Sequence, residues 1–132
     1  MARKWLIPIL IVIGVFVFSS KGLKGGPEIS VKDAVALLKS EPRPVVIDLR
    51  SSADYDQGHI ASAICVPVAE FRNRLESLKV SKTDVVLLYS ADDAHARDVT
   101  RHLYESGYQG ALTLIGGFDA WREAGQAVVK KP

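Results

Sequence analysis

A three-layer α/β fold is predicted for this 132-residue chain: a central parallel sheet with helices on both faces, preceded by an N-terminal hydrophobic helix. Three observations predict it. Short apolar, β-branched runs alternate with segments of helical periodicity. The runs are apolar at nearly every position, as strands covered on both faces require. The composition, 48% hydrophobic and 24% charged, suits one globular domain rather than two.

Residues 1–20 stand apart from the rest. Arg3 and Lys4 precede an almost unbroken apolar run from Trp5 to Phe18, which ends at Ser19 and Ser20 and then at Lys21 and Lys24. A spanning helix needs about 20 apolar residues, with a lower limit near 17, and the run reaches that only if Met1, Ala2, Ser19 and Ser20 extend it. Its length and basic start also fit a secretory signal, although Val17-Phe18-Ser19 is no clean cleavage site. A core helix fits worst, because the run has no polar face. The expectation is a single-pass membrane anchor over 1–20, with a cleaved signal and a secreted domain as the alternative. Basic residues ahead of the run favour an exported, periplasmic or extracytoplasmic domain; Lys21 and Lys24 weaken that preference.

All 15 acidic residues and 15 of the 17 basic ones lie after residue 20, so the rest of the chain has a formal net charge of zero. No cluster of Lys and Arg marks a nucleic-acid surface. Cys65 is the only cysteine, which excludes an intramolecular disulfide and a paired-cysteine metal site.

The elements follow in order. Residues 21–27, with Gly22, Gly25, Gly26 and Pro27, read as a linker, and 28–132 as the domain. In "ISVKDAVALLKS", Ser30 is a good N-cap with Asp33 three residues on, and Val31, Ala34, Val35, Leu37 and Leu38 recur at helical spacing. "EPRP" ends that helix, since proline cannot continue it. "VVIDL", 45–49, reads as a buried strand, and "SSADYDQGH" as a loop with helix-start chemistry. "AICVPV" is a second strand. "AEFRNRLESL" is an amphipathic helix with Phe71, Leu75 and Leu78 on one face. "DVVLLYS" is the third and most apolar strand, expected at the sheet's centre. "AHARDVTRHLYESG" is a helix stopping at Gly107, "ALTLIGG" a fourth strand, and "FDAWREAG" a last helix closed by Gly125. In such sheets ligands bind beyond the carboxyl ends of the strands, which here means loops 50–59, 90–95 and 116–119.

At these loops the chain resembles the rhodanese family of single-domain sulfurtransferases. "VVIDLRSSADYDQGHIASAICVPVAEF" is similar to the family's first signature, with Asp48, Arg50, Tyr55, Gly58, His59, Ile60, Ala63 and Pro67 in place. "GYQGALTLIGGFDAWREAGQAV" is similar to its closing segment, with Gly116, Gly117, Ala120, Trp121 and Gly125 in place. The likeness runs from about residue 28 to the end.

The resemblance implies a cysteine at the end of the third strand, whose thiolate takes up a sulfur atom as a persulfide. It also implies a following loop whose backbone N–H groups and helix N-terminus stabilise the charge. Here the cysteine position holds Ser90, the loop's glycine position Asp93, its arginine position His95 and its serine position Ala96. A serine hydroxyl is far less acidic than a thiol and forms no persulfide. Asp92 and Asp93 put negative charge where an anion would bind, and His95 replaces a permanent cation with a group mostly neutral at pH 7. Aspartate tolerates positive φ better than most residues, so the loop at Asp93 is expected to persist.

The expectation is therefore a membrane-tethered rhodanese-like domain without sulfurtransferase activity, a binding or scaffold module. Loop 90–95 (Ser90, Ala91, Asp92, Asp93, Ala94, His95) would be its interaction surface for a protein partner. No cofactor is expected. One alternative is a sulfur carrier using Cys65 or a partner's cysteine, although Cys65, among Ile64, Val66 and Val68, reads as a small core residue. A second is ligand or metal sensing by Asp92, Asp93 and His95, set against the capping that carboxylates perform at a helix start. A Ser90–His95 hydrolase fits poorly, because Leu88 and Asp92 stand where a nucleophile elbow has glycines. Asp48, Arg50, Tyr55, Gly58 and His59 are read as structural, with Arg50 pairing to Asp54. His102 is expected in solvent and Trp121 in the core.

Overall fold

The computed structural model describes residues 26–132; the expected hydrophobic helix over 1–20 lies outside them. Among the described residues no helix is long and apolar enough to cross a membrane.

The strands are β1 (Glu28–Ile29), β2 (Val45–Asp48), β3 (Ile64–Cys65), β4 (Val86–Tyr89) and β5 (Ala111–Leu114). They form one parallel sheet in the order β1-β5-β4-β2-β3, so β4 is central, as its apolar run predicts. The helices are α1 (Val31–Leu38), α2 (Ser52–Gln57), α3 (Phe71–Arg74), α4 (Asp93–Glu105) and α5 (Gly117–Glu123).

The side-chain period of 2 divides the strands between two cores. Leu87 and Tyr89 of β4, with Val46, Leu112 and Leu114, pack against Ala34 and Leu37 of α1 and Phe118 and Trp121 of α5. Val86 and Leu88, with Ile47 and Ala111, pack on the other face against Phe71 of α3 and Ala96, Val99 and Leu103 of α4. Every residue of β4 and β5 is buried, which is why neither strand shows an alternating polar pattern.

Four departures from expectation have local causes. β1 escapes the periodicity because it has only two residues and exists only through its pairing with β5. The segment read as a loop after β2 contains α2, whose Ser51 cap accepts from the Asp54 N–H. It buries no residue fully, so it carries no apolar stripe. The helix expected over 69–78 is broken into a 3-10 turn, the single turn of α3 and a second 3-10 turn that ends at left-handed Lys79, φ 55°. The second strand is a short sheet edge, with Ile64 38% exposed rather than buried. The Ser30 cap holds: its Oγ accepts from the Asp33 N–H at 3.2 Å.

Candidate functional site

The candidate site lies at the carboxyl ends of β2, β4 and β5. Its foundation is a buried polar network. Asp48, fully buried, accepts from the Arg50 backbone N–H (2.9 Å), from Arg50 Nη2 (2.7 Å) and from the Tyr89 hydroxyl (2.8 Å). Arg50 Nη2 also donates to the Gly58 carbonyl at 2.6 Å, and the Tyr89 oxygen accepts from the Ile60 N–H at 3.1 Å. Arg50 lies 4.0 Å from the Phe118 ring centre. Its pKa is raised: burial lowers it, and the Asp48 carboxylate outweighs burial. Burial and then the Asp48 charge push the Tyr89 hydroxyl upward. Arg50 thus pairs with Asp48 and not, as expected, with Asp54. Asp48 is two residues away at the strand tip and equally buried, whereas Asp54 is exposed on α2.

The other signature residues finish the same corner. The Tyr55 hydroxyl donates to the Ala63 carbonyl at 2.7 Å. His59 Nδ1 donates to the Tyr55 carbonyl at 2.7 Å, and the two rings stack 3.7 Å apart. These contacts make Asp48, Arg50, Tyr55, Gly58 and His59 architecture. Trp121 is buried, with Nε1 donating to the Ala127 carbonyl, and His102 is exposed.

Ser90 follows Tyr89 at the tip of the central strand and is 5% exposed. Its carbonyl accepts from the Phe118 N–H at 3.2 Å. Gly117 crosses this carbonyl with φ +61°, and a Cβ there would overlap the Ser90 oxygen. Among the described residues the Ser90 hydroxyl has no hydrogen-bond partner, exposed His95 included. A Ser–His couple is therefore not assembled.

The two aspartates each accept from a backbone N–H. Asp92 caps α4: its Oδ1 accepts from the Ala94 N–H at 2.8 Å, and its carbonyl accepts from the His95 N–H at 3.2 Å. Asp93 is the first residue of α4, so the family's glycine position needs no positive φ here, contrary to expectation. Its Oδ2 accepts from the Gly116 N–H at 2.9 Å and lies 3.7 Å from Arg97, which pairs at 3.3 Å with Glu28 of β1. This ties loop 90–93 to the turn after β5. Asp92, Asp93 and His95 are not gathered as a metal-ligand set, and no group of three or more His, Cys, Asp or Glu among the described residues is.

Beside the loop opens a cleft of about 500 Å³. Ala91, Gly58, Phe118 and Val128 line it together with Arg50, Arg122, Lys130, Asp54 and Asp119. Arg122 is paired with Asp119 at 3.0 Å. The expected repulsion of an anion by Asp92 and Asp93 is thus not built into the cleft wall, which carries cations and carboxylates side by side. Asp119 falls in loop 116–119, expected at the ligand side; sequence reasoning missed Arg122, Val128 and Lys130, because only the packing of α5 and the C-terminal residues brings them to Ala91.

Cys65 is not a core residue. It is partly exposed and borders a second pocket, of about 440 Å³, with Tyr55, His59 and Lys131. Its sulfur lies 3.9 Å from the Arg50 carbonyl. Burial, then the Asp48 charge, push its pKa up, which disfavours the reactive thiolate.

The profile of the rhodanese-like domain matches residues 30–124. The thiosulfate sulfurtransferase GlpE of Coxiella burnetii is 34% identical over 96 residues, covering 72% of this chain and 86% of that protein. The HTH-type transcriptional regulator Rv0324 of Mycobacterium tuberculosis is 32% identical over 105 residues, covering 79% of this chain and 46% of that one. A crystal structure of the Alr3790 protein of Anabaena sp. shares the fold, with a TM-score of 0.70 at 24% identity over 77% of this chain and 81% of that one. From its buried signature network to its neighbours in sequence and fold, this chain belongs to the rhodanese-like family.

Proposed function

We propose that this chain is a membrane-tethered rhodanese-like domain that binds a partner through loop 90–95 and the adjoining cleft, and that transfers no sulfur. One observation carries the reading. The carboxylate of Asp92 sits on the helix N-terminus where a sulfur-bearing anion would otherwise be held, and Asp93 takes the Gly116 N–H. With Ser90 at the strand tip there is no thiol to load, and the loop's acidic side chains act as its own internal anions. The almost unbroken apolar run from Trp5 to Phe18 supports the tether, and Arg3 and Lys4 ahead of it support an exported domain.

The likeness to a thiosulfate sulfurtransferase keeps a second reading in play: sulfur carriage on Cys65, favoured by that thiol's partial exposure in its own pocket. One experiment separates them. The full chain is incubated with thiosulfate and, separately, with a persulfide donor, and intact mass is read for a one-sulfur gain that cyanide removes. Cys65→Ser and Ser90→Cys run alongside. No gain in the native chain is the expected result. A gain that Cys65→Ser abolishes overturns the binding reading in favour of the carrier.

A further inference from the structure

The C-terminal residues after α5 help line both the cleft and the Cys65 pocket. From Ala127 onward every residue is exposed, including Val128 and Val129 at 36% and 43%. At its start the Ala127 carbonyl accepts from the buried Trp121 indole (2.9 Å); beyond that the segment is held by backbone. The Val129 N–H donates to the His59 carbonyl (2.9 Å), the His59 N–H donates to the Val129 carbonyl (2.8 Å), and the Lys131 N–H donates to the Asp56 carbonyl (3.1 Å). One surface ion pair, Lys131 to Asp56 at 3.9 Å, adds little. A segment with paired backbone and no buried side chain belongs to the least stable part of a fold and opens locally before the rest.

Its position gives that opening a consequence. An extended chain presents successive side chains to opposite sides. Val128 lines the cleft beside Ala91, Val129 and Lys131 line the pocket that holds Cys65, and Lys130 borders both. The segment is therefore the partition between the two cavities. Gly125, at φ +75° with open space around it, marks the turn from which the segment departs α5. We propose that residues 127–132 form a strap that gates access to the partly exposed Cys65: closed, it forms one wall of that pocket and parts it from the cleft, and open, it joins the two and exposes the thiol further.

The gate acts whether or not Cys65 ever carries sulfur, so its test is separate from the mass experiment above. In the full chain, the rate of Cys65 alkylation by N-ethylmaleimide is compared with that in Val129→Pro, which removes the donor to His59, and in a chain ending at Gln126. A thiol placed in the core by Thr113→Cys, in a Cys65→Ser background, reports global loosening in each strap variant, since Thr113 is fully buried. The expected result is that Cys65 reacts about fivefold faster or more in both strap variants, while the core thiol keeps its slow rate. An unchanged Cys65 rate in both overturns the gate. So does an equal acceleration of the Cys65 and Thr113→Cys thiols, which means the whole domain has loosened.

Discussion

The tips of β2 and β4 are neighbours in the same sheet, yet they treat polar side chains in opposite ways. After β2, Asp48 and Arg50 are buried and bound to each other, to Tyr89 and to Gly58. After β4, Asp92 is exposed and Asp93 half-buried; each accepts from a backbone N–H, and the one charge near them, Arg97 at 3.7 Å from Asp93, is itself partly exposed. The first region constrains its residues because removing either partner leaves a charge in the core. The second constrains them weakly. A chain can therefore replace the family's reactive loop residues and keep the family's shape.

Asp48→Asn is the most severe way to test that contrast. It leaves the Arg50 charge buried without its partner, and a loss of about 3–5 kcal/mol in urea-induced unfolding is expected. A loss no larger than that of a surface substitution would remove the contrast altogether. Gly117→Ala comes next, at roughly 2 kcal/mol, because alanine disfavours φ +61° and its Cβ meets the Ser90 carbonyl. It bears on the β4 tip alone, so its cost should appear without any loss of the Asp48 network.

Tyr89→Phe should cost about 1–3 kcal/mol by stranding the Ile60 N–H and removing one of the donors to Asp48, whose Oδ2 keeps Arg50. It also carries a pH signature. The folded-state pKa of Tyr89 is raised, so above about pH 10 the unfolded chain loses this proton while the folded one keeps it. The hydroxyl's stabilisation is complete below that pH and declines as pH rises through it. The gap between native and Tyr89→Phe stabilities should narrow accordingly in unfolding curves at rising pH. At the small end, Ser90→Ala should change stability by no more than about 0.5 kcal/mol, because its hydroxyl has no partner. A larger loss by thermal melting would give Ser90 a role that its contacts do not show.

Much of this arrangement was legible before any coordinates. The Ser30 cap, the apolar run that places β4 at the centre and the helical pattern of α4 all encode their own positions. The family signature located the corner around Asp48 and Arg50. Nearness in sequence misled on Arg50's partner, because both Asp48 and Asp54 lie within four residues and burial decides between them. Cys65 looked like core from its apolar neighbours. β3 is an edge, and a run of apolar residues does not say whether a second strand lies beyond it.

Local chemistry in the chain was sufficient for the layer order, the central strand and the identity of Ser90 at its tip, since periodicity, capping and position in a motif are properties of short segments. Where the Asp92 and Asp93 carboxylates point, which cations share the cleft beside Ala91, and how the last six residues part that cleft from Cys65 came from the folded arrangement. Each of these joins groups far apart in sequence. Their energies depend on burial and distance, and neither quantity exists until the strands have paired.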